Sequence, residues 1–291
     1  MMVITTPSGQ IGRQLVEDLV DRSAAVRVVV RDPASLPPHI RERVEVVPGS
    51  HGDPEVAAAA FAGAASVFLV VPPEPRTTDV DAHYLRFARV ACDAVREHGV
   101  ERIVAVSSLG RGVAKDAGHI SAALAMDELF DAAGAHFRVL RLPFFMENLL
   151  TQAAGIRDRG EFWLANAADR PLRAVATRDI AAAAAGLLLD DAWTGHGDVP
   201  VVSPDDLSPD GMAAVMSEVL GRPIEFRRAA LEDYRATMLG HGMSEAWAQG
   251  LADMAAVQNE RDVYDLAPET RRAPTGFRRW CAEVLRPALR A

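Results

Sequence analysis

The chain opens with the stretch that decides its fold, MVITTPSGQIG at residues 2–12, which leads into a helical pattern ending near residue 22. The apolar start predicts a buried strand, and a glycine-containing turn joins it to the helix. Such turns let backbone N–H groups approach an anion such as pyrophosphate. Gly9 and Gly12 fit the second and third glycines of a G-x-x-G-x-x-G loop, but Thr6 stands at the first and Pro7 removes one donor. An ordinary strand-to-helix turn is the alternative.

The strand-and-helix pattern repeats through the first two-thirds of the chain. Further apolar strands are predicted at 26–30, 44–47, 66–71, 102–107 and 137–142, with helices between them. Strands that are apolar throughout and separated by helices indicate a parallel sheet covered on both faces. We therefore expect an α/β fold, a doubly wound parallel-sheet Rossmann domain, with ligands at the carboxyl ends of the strands.

The last third of the chain has a different pattern of short strands and helices. We expect a dinucleotide-binding domain over residues 1–190 and a smaller α+β cap, the substrate domain, over residues 191–291, with a contribution from about 148–170. Ligands often lie at domain interfaces, so the site is expected between the two parts.

Composition excludes several classes of function. The chain has 31 Lys and Arg against 40 Asp and Glu, which gives a formal net charge of -9. An acidic chain lacks the positive footprint of a general nucleic-acid binder, and its apolar runs are too short to span a membrane. Cys92 and Cys281 form neither a disulfide framework nor a metal-ligand spacing. We expect a cytoplasmic protein, without a signal peptide, that is a monomer or homodimer, acts on a small molecule and binds no metal, nucleic acid or membrane.

Lysine and tyrosine are scarce enough to constrain the chemistry. Lys115 is the only lysine, and the tyrosines are Tyr84, Tyr234 and Tyr264. A Tyr-x-x-x-Lys pair is impossible because the residue four positions before Lys115 is Arg111. Any oxidoreductase chemistry here is therefore atypical in its choice of proton donor.

Five stretches resemble, in order and spacing, the NmrA-like family of atypical short-chain dehydrogenase/reductases. They read VITTPSGQIGR (3–13), VVVRDP (28–33), VFLVVPP (67–73), VERIVAVSSLG (100–110) and LRLPFFMENL (140–149). Two later elements, TRDIA (177–181) and LGRPI (220–224), agree as well. The resemblance covers nearly the whole chain and implies an NADP(H)-binding oxidoreductase.

The resemblance also implies roles for residues at the strand ends. The pyrophosphate would be faced by Ser8, Gly9, Gln10 and Ile11, in the same loop as Thr6. Val71 and Pro72 would border the adenine ribose, Ser107, Pro143 and Phe144 the nicotinamide, and Phe145 and Asn148 the substrate. Arg31 would face the 2′-phosphate. From the residues alone, Asp32 is an alternative, because a carboxylate there could bind the ribose hydroxyls of NAD.

Three positions depart from the family pattern. Thr6 replaces a glycine, so its Cβ is expected to push the pyrophosphate outward or to require a backbone shift. Ser50 replaces an aspartate, and Ala123 stands where many members have a lysine. Without that lysine, His119 is the best proton donor by residue type, and Ser108 or its neighbour could hydrogen-bond a substrate carbonyl. A solvated histidine and turn-capping serines are the alternatives.

The resulting prediction is an NADPH-dependent reductase of a small, largely apolar carbonyl, quinone or imine. Phe144, Phe145, Met146, Phe162, Trp163, Met243, Trp247 and Met254 are candidates either for its apolar pocket or for plain core. Two other functions remain open. One is a non-redox enzyme (a cyclase, isomerase or dehydratase) in a degenerate crevice, in which cofactor binding is lost through Thr6 and Pro7. The other is an NAD(P)-sensing regulator without turnover.

Overall fold

A parallel sheet of seven strands forms the centre of the computed structural model, which describes residues 1–264, 266–267 and 270–290. The strands are Met2–Thr5 (β1), Val26–Val30 (β2), Glu45–Pro48 (β3), Ser66–Leu69 (β4), Arg102–Ser108 (β5), His136–Leu142 (β6), Phe144–Phe145 (β7), Glu161–Leu164 (β8), Ala174–Val175 (β9), His196–Pro200 (β10) and Glu225–Arg228 (β11). The helices are Gln10–Asp21 (α1), Pro38–Arg41 (α2), Pro54–Phe61 (α3), Val80–His98 (α4), His119–Asp131 (α5), Ala153–Arg159 (α6), Thr177–Leu189 (α7), Pro209–Leu220 (α8), Leu231–Gly240 (α9), Glu245–Glu260 (α10), Phe277–Trp280 (α11) and Arg286–Ala288 (α12).

The strand order is β10-β6-β5-β4-β1-β2-β3, and neighbouring strands are parallel. This confirms the doubly wound α/β fold. The winding reverses between β1 and β4, where parallel sheets of this kind open a ligand crevice. Thr5 bridges these two strands there: its hydroxyl donates to the Phe68 carbonyl (2.9 Å) and accepts the Val70 N–H (3.0 Å). The backbone groups next to the crevice are thereby satisfied by the protein.

Apolar clusters cover both faces of the sheet. On one face α1 and α7 pack together, with Leu15 and Ile180 fully buried between helices and strands. On the other face α3, α4 and α5 enclose Phe61, Phe130 and Phe137. Burial on both faces explains why these strands are apolar throughout. It also fixes their carboxyl ends as a rigid edge for a site.

Strand β10 extends the sheet beyond the boundary expected at residues 190 and 191. It pairs with β6 in parallel register from His196↔Phe137 to Pro200↔Arg141. Its sequence, HGDVP, is polar and ends in proline, which suits an edge strand with one unpaired side. The sheet therefore takes its last strand from residues that the sequence analysis had assigned to the cap, and the two-part division stays a prediction.

The cap surrounds a third apolar cluster that includes Phe162, Met216 and Trp280. A small separate sheet pairs β8 with β11 in parallel. A buried carboxylate attaches the cap to the main sheet: Glu147 accepts hydrogen bonds from the Trp280 indole (3.1 Å) and from the Thr177 backbone (3.0 Å). Within the described ranges, no helix combines the length and the apolar character required to cross a bilayer.

Candidate active site

A cavity of about 750 Å³ runs along the carboxyl ends of the strands, between the main sheet and helices α9 and α10. Its lining includes the residues that the resemblance assigns to cofactor and substrate, together with the two candidate catalytic residues: Thr6, Ser8, Gly9, Gln10, Ile11, Arg31, Val71, Pro72, Ser107, Ser108, His119, Pro143, Phe144, Phe145 and Asn148. The strand order separates these residues into two ends. The ends of β1, β2 and β3 lie on one side, and the ends of β5 and β6, covered by the cap, lie on the other. We name these the loop half and the cap half.

A second depression, of about 490 Å³, lies beside the edge strand β10. Its charged side chains are paired with one another: Arg111 with Asp131 (2.9 Å) and Asp198 (3.4 Å), and His196 with Asp131 (3.2 Å). Groups that already satisfy each other on a sheet edge offer little to a ligand. The 750 Å³ cavity is therefore the candidate site.

The loop half presents an open helix N-terminus. The first turn of α1 has no side-chain cap at Gly9 and no acidic residue. The Gly9 N–H closes the turn on the Thr6 carbonyl (3.0 Å), and Ser8, Gly9 and Gln10 are exposed towards the cavity. Uncapped N–H groups at a helix N-terminus, together with the helix dipole, form a site for an anion. The loop therefore fits the diphosphate of a dinucleotide.

Gly12 and Thr6 show how this turn keeps its shape without the first glycine. A Cβ on Gly12 would lie 2.2 Å from the Thr6 carbonyl oxygen, so only glycine fits there. Thr6 itself has φ +52°, a left-handed conformation that is unusual for a β-branched residue. The backbone of Thr6 has thus adopted the conformation that a glycine takes easily. The expectation that its Cβ pushes the pyrophosphate outward stays a prediction.

Arg31 and Asp32 face different environments. Arg31 lies at the end of β2, is exposed, and lines the cavity. Asp32 lies outside the lining, where its carboxylate accepts the Ala34 N–H (2.9 Å) and caps a short 3-10 turn. Of these two neighbours, Arg31 lines the cavity and Asp32 does not. A guanidinium is suited to a phosphate.

Burial keeps the two cavity histidines neutral. His51 lies against the ring of Phe87 (4.7 Å between centroids), and burial lowers its pKa to about 4. His119 packs against Trp247 (4.3 Å), with Nε2 3.3 Å from the Trp247 carbonyl, and burial lowers its pKa too. His119 is therefore half-buried against Trp247 and is not the solvated histidine that was the alternative interpretation. It is also a poor general acid, because the imidazolium form is disfavoured.

Ser107 and Ser108 differ in what their hydroxyls contact. The Ser107 hydroxyl points into the protein, donates to Asp127 (2.8 Å) and accepts from Arg141 (3.3 Å). Asp127 and Arg141 form a buried ion pair, although desolvation still raises the pKa of Asp127 to about 6. Ser107 therefore presents mainly its backbone to the cavity. Ser108 is half-buried at the end of β5 and, like Tyr264, lines the cavity.

The cap half holds polar residues that the sequence analysis missed. Asn166, Gln258 and Tyr264 all line the cavity, and hydrogen bonds connect them in that order. Tyr84 and Tyr234 line it too, so all three tyrosines of the chain meet there. The rarity of tyrosine was the only signal in the sequence. No local motif joins positions so far apart.

The predicted apolar pocket is partly correct. Phe144, Phe145, Trp247 and Met254 line the cavity. Met146 and Phe162 are instead fully buried in the core, and Trp163 and Met243 lie outside the lining. The described residues contain no group of three His, Cys, Asp or Glu side chains placed to hold a metal ion.

Comparison with known proteins agrees with this geometry. A family model described as NAD(P)H-binding matches residues 8–191. An NAD(P)H azoreductase of Xenophilus azovorans is 29% identical over 259 residues, covering 88% of this chain and 87% of that protein. A (4-alkanoyl-5-oxo-2,5-dihydrofuran-3-yl)methyl phosphate reductase of Streptomyces griseus is 29% identical over 290 residues, covering 97% of each.

Solved structures share the whole fold. A triphenylmethane reductase from Citrobacter sp. superposes with a TM-score of 0.81 at 18% identity, covering 100% of this chain and 99% of the other. An NADPH-dependent quinone oxidoreductase from Escherichia coli, solved with NADPH, gives a TM-score of 0.78 at 20% identity and covers 99% of both chains.

Proposed function

The chain belongs to the NAD(P)H-binding family, and from that premise we propose that it is a reductase that uses NADPH to reduce a small, uncharged, largely apolar compound. The group reduced is a conjugated carbonyl, a quinone, or a nitrogen double bond of the imine or azo type. The names of the relatives support this class, since they include an azoreductase and a quinone oxidoreductase.

The observation that carries the proposal is that one cavity joins two chemically different halves. The loop half offers an uncapped helix N-terminus and Arg31, which suit a phosphate-rich cofactor. The cap half is lined by apolar side chains such as Phe145, Trp247 and Met254. A dinucleotide held in the first half reaches towards an apolar compound in the second. This is the arrangement that a reductase requires.

Each half has its own task during the reaction. NADPH, when bound, supplies the hydride. The turn from Thr6 to Gly12 binds its diphosphate, Arg31 binds its 2′-phosphate, and Pro143 and Phe144 border its nicotinamide. The apolar side chains of α10 exclude water and orient the substrate. Ser108 donates a hydrogen bond to the substrate atom that gains the electron pair, while His119, which is neutral, holds Trp247 in place.

The charge of the lining restricts the substrate. Of the described residues that line the cavity, Arg31 is the only Lys, Arg, Asp or Glu, and it lies in the loop half. An anionic substrate in the cap half has no opposite charge to offset its desolvation. We therefore expect an uncharged substrate. The phosphate ester named for the Streptomyces griseus relative is expected to be a poor one.

Titration with NADPH and NADH, followed by an acceptor panel, tests the proposal. Cofactor fluorescence should report binding that is tighter for NADPH. A naphthoquinone, an aryl azo dye and an aromatic aldehyde should then be compared with a phosphorylated acceptor, and turnover of an uncharged acceptor is expected. Ala255→Leu narrows the cap half and should lower turnover while leaving NADPH affinity unchanged.

The other outcomes identify the alternatives. Tight NADPH binding without turnover of any acceptor favours an NAD(P)-sensing regulator. No binding at millimolar cofactor overturns the reductase proposal and favours a non-redox enzyme. Reduction of the phosphorylated acceptor alone contradicts the expected substrate charge but leaves hydride chemistry intact.

A further inference from the structure

Two hydrogen bonds join two walls of the cavity that are far apart in sequence. One wall is the loop between β4 and α4, residues 70–79, whose first residues line the cavity. The other is α10, which lines it with Trp247 among other side chains. Ser244, the residue before α10, connects them: its N–H donates to the Pro75 carbonyl (2.8 Å), and its hydroxyl donates to the Thr77 carbonyl. We name these two hydrogen bonds the Ser244 bridge.

The Ser244 hydroxyl uses both of its hydrogen-bonding functions. Its oxygen accepts the Trp247 N–H (3.1 Å) and so caps α10, while its hydrogen is donated to Thr77. Of the described residues of the cap, Ser244 alone forms hydrogen bonds to the loop 70–79. One residue therefore both begins the helix and fastens it to the facing wall.

Burial within the loop follows the bridge. Pro75 and Thr77, which Ser244 contacts, are half-buried, whereas their neighbours Glu74, Arg76 and Thr78 are exposed. A segment with few buried contacts opens at a low cost in free energy. A net hydrogen bond changes an equilibrium by about fivefold, so two of them close such a loop while still allowing it to open.

The bridge lies at the point where the two halves of the cavity meet. In the strand order, β4 lies between β5, whose end belongs to the cap half, and β1, whose end belongs to the loop half. A dinucleotide with its diphosphate at the start of α1 and its nicotinamide at Pro143 has to extend past the end of β4 and the loop that follows it. The bridge fastens this loop to α10 on the opposite wall.

We propose that the Ser244 bridge controls the exchange of NADPH: it opens to admit or release the dinucleotide and closes over the middle of the cofactor during reduction. The inference rests on the proposed function and goes beyond it, because it concerns how the cofactor enters and leaves. Ser244 lies outside the lining of the cavity and acts through the loop, so it is a positioning residue.

Stopped-flow measurement of NADPH binding and release tests the role of the bridge. Cofactor fluorescence gives kon on mixing and koff on displacement by excess NADP⁺. The bridge joins protein to protein, so weakening it lowers the barrier in both directions. Ser244→Ala should therefore raise kon and koff about fivefold each and change Kd by less than about twofold. Ser244→Thr keeps a hydroxyl that caps the helix and donates, and it should retain the wild-type rates.

Two further variants separate the bridge from the helix cap. Ser244→Asp can still accept the Trp247 N–H, but its carboxylate has no hydrogen to donate to Thr77, so it should exchange NADPH as fast as Ser244→Ala. Ser208→Ala is the matched control for a lost cap. The Ser208 hydroxyl accepts the Gly211 N–H (3.1 Å) at the start of α8 and lies outside the cavity. Its removal should lower stability and leave both rates unchanged.

The pattern of the rates decides the role of Ser244. Values of kon and koff for Ser244→Asp that lie within twofold of the wild-type overturn the inference. A faster release without faster binding also overturns it, because Ser244 then stabilises only the bound state. Equal acceleration by Ser208→Ala does the same, since the lost helix cap is then the cause. A protein that binds NADPH but reduces no acceptor refutes the proposed function instead, and the two rates still test the bridge.

Discussion

The two halves of the cavity are built in different ways. The loop half uses mainly backbone groups and residues that are contiguous in sequence, from Thr6 to Gly12. Arg31 is added from the end of β2, and Gly49, Ser50 and His51 from the end of β3. The cap half uses side chains from β5, from the segment after β8, from α10 and from the chain beyond it. A site made of backbone depends on local conformation. A site made of distant side chains depends on how the whole chain folds.

Some residues of the family motifs stabilise the packing of the cap instead of lining the cavity. Glu147 lies in one of the five stretches that resemble the family, yet its carboxylate accepts hydrogen bonds from the Thr177 backbone and the Trp280 indole and does not line the cavity. Asp179, in a later family element, accepts two hydrogen bonds from Thr275 (3.0 and 2.9 Å). These motif residues join the cap to the sheet. The hydrogen bonds of Glu147 and Asp179 therefore stabilise the cap half, although neither residue lines the cavity.

Gly12→Ala should have the largest effect and tests whether the backbone turn is essential. The added Cβ would lie 2.2 Å from one backbone atom of Thr6 and 2.9 Å from another, so the turn has to move. We expect the Kd for both NADPH and NADH to rise by more than about 100-fold, which corresponds to about 3 kcal/mol. Isothermal titration measures both.

Gly186→Ala is the control, because a Cβ there meets nothing within 4 Å and the residue lies inside α7. It should leave both affinities unchanged and raise the free energy of unfolding by up to about 1 kcal/mol. Normal cofactor binding by the Gly12 variant contradicts a backbone-built site.

The pH dependence of stability tests the burial of His51 in the loop half. The expected change in the free energy of unfolding is about 3 kcal/mol. Its pKa is about 4 in the folded protein against 6.5 for an ordinary histidine. Between these values the unfolded chain binds a proton that the folded protein does not, so stability is lost as the pH falls from about 6.5 to about 4. Urea unfolding at several pH values should show this loss, and His51→Gln should show a shallower pH slope.

Two other histidines sharpen this test. His119→Gln, in the cap half, should also flatten the slope, because burial lowers the pKa of His119 as well. The exposed His39 provides the control for the effect of a His-to-Gln substitution as such. Equal slopes for the wild-type and His51→Gln contradict a buried neutral imidazole.

Arg31→Ala tests the one Lys, Arg, Asp or Glu side chain among the described residues of the loop half. Removing a guanidinium that faces a phosphate should weaken NADPH binding about 30-fold, or about 2 kcal/mol, and NADH binding less than about twofold. Asp32→Ala is the neighbouring control and should cost about 1 kcal/mol of stability through its lost cap, with both affinities kept. Equal losses for NADPH and NADH after Arg31→Ala rule out the 2′-phosphate role.

The sequence was sufficient to predict the fold and the residues of the loop half because both depend on local patterns. Buried parallel strands are apolar throughout, and a glycine turn before a helix is read over a few residues. The short strands β7, β9 and β11 and the edge strand β10 escaped prediction. Each has few residues or a polar sequence, and each is stabilised by its neighbours rather than by its own pattern.

Asn166, Gln258 and Tyr264, the polar residues of the cap half, could not be predicted from local patterns. Ser108 and Tyr264 are 156 positions apart by residue number, and nothing in either neighbourhood indicates that both line one cavity. Arg31 and Asp32 show that local sequence patterns can be insufficient even for two neighbouring residues. The sequence leaves both residues as candidates for binding the adenosine ribose or its phosphate. The structure distinguishes them because the Asp32 side chain caps a 3-10 turn.

Thr6→Gly should have the smallest effect on cofactor affinity and stability. It tests whether the threonine that replaces the first glycine of the loop affects cofactor binding. Thr6 already has the left-handed φ of +52°, so glycine removes strain of about 1 kcal/mol but adds a similar entropy to the unfolded chain. Stability should therefore change by less than about 1 kcal/mol, and NADPH affinity by less than about threefold. Ser23→Gly is the matched control, since Ser23 has φ +59°, is exposed and lies outside the cavity. A gain in NADPH affinity of more than tenfold for Thr6→Gly alone means that the threonine side chain obstructs the diphosphate. In that case the loop half depends on side chains after all, and its contrast with the cap half weakens.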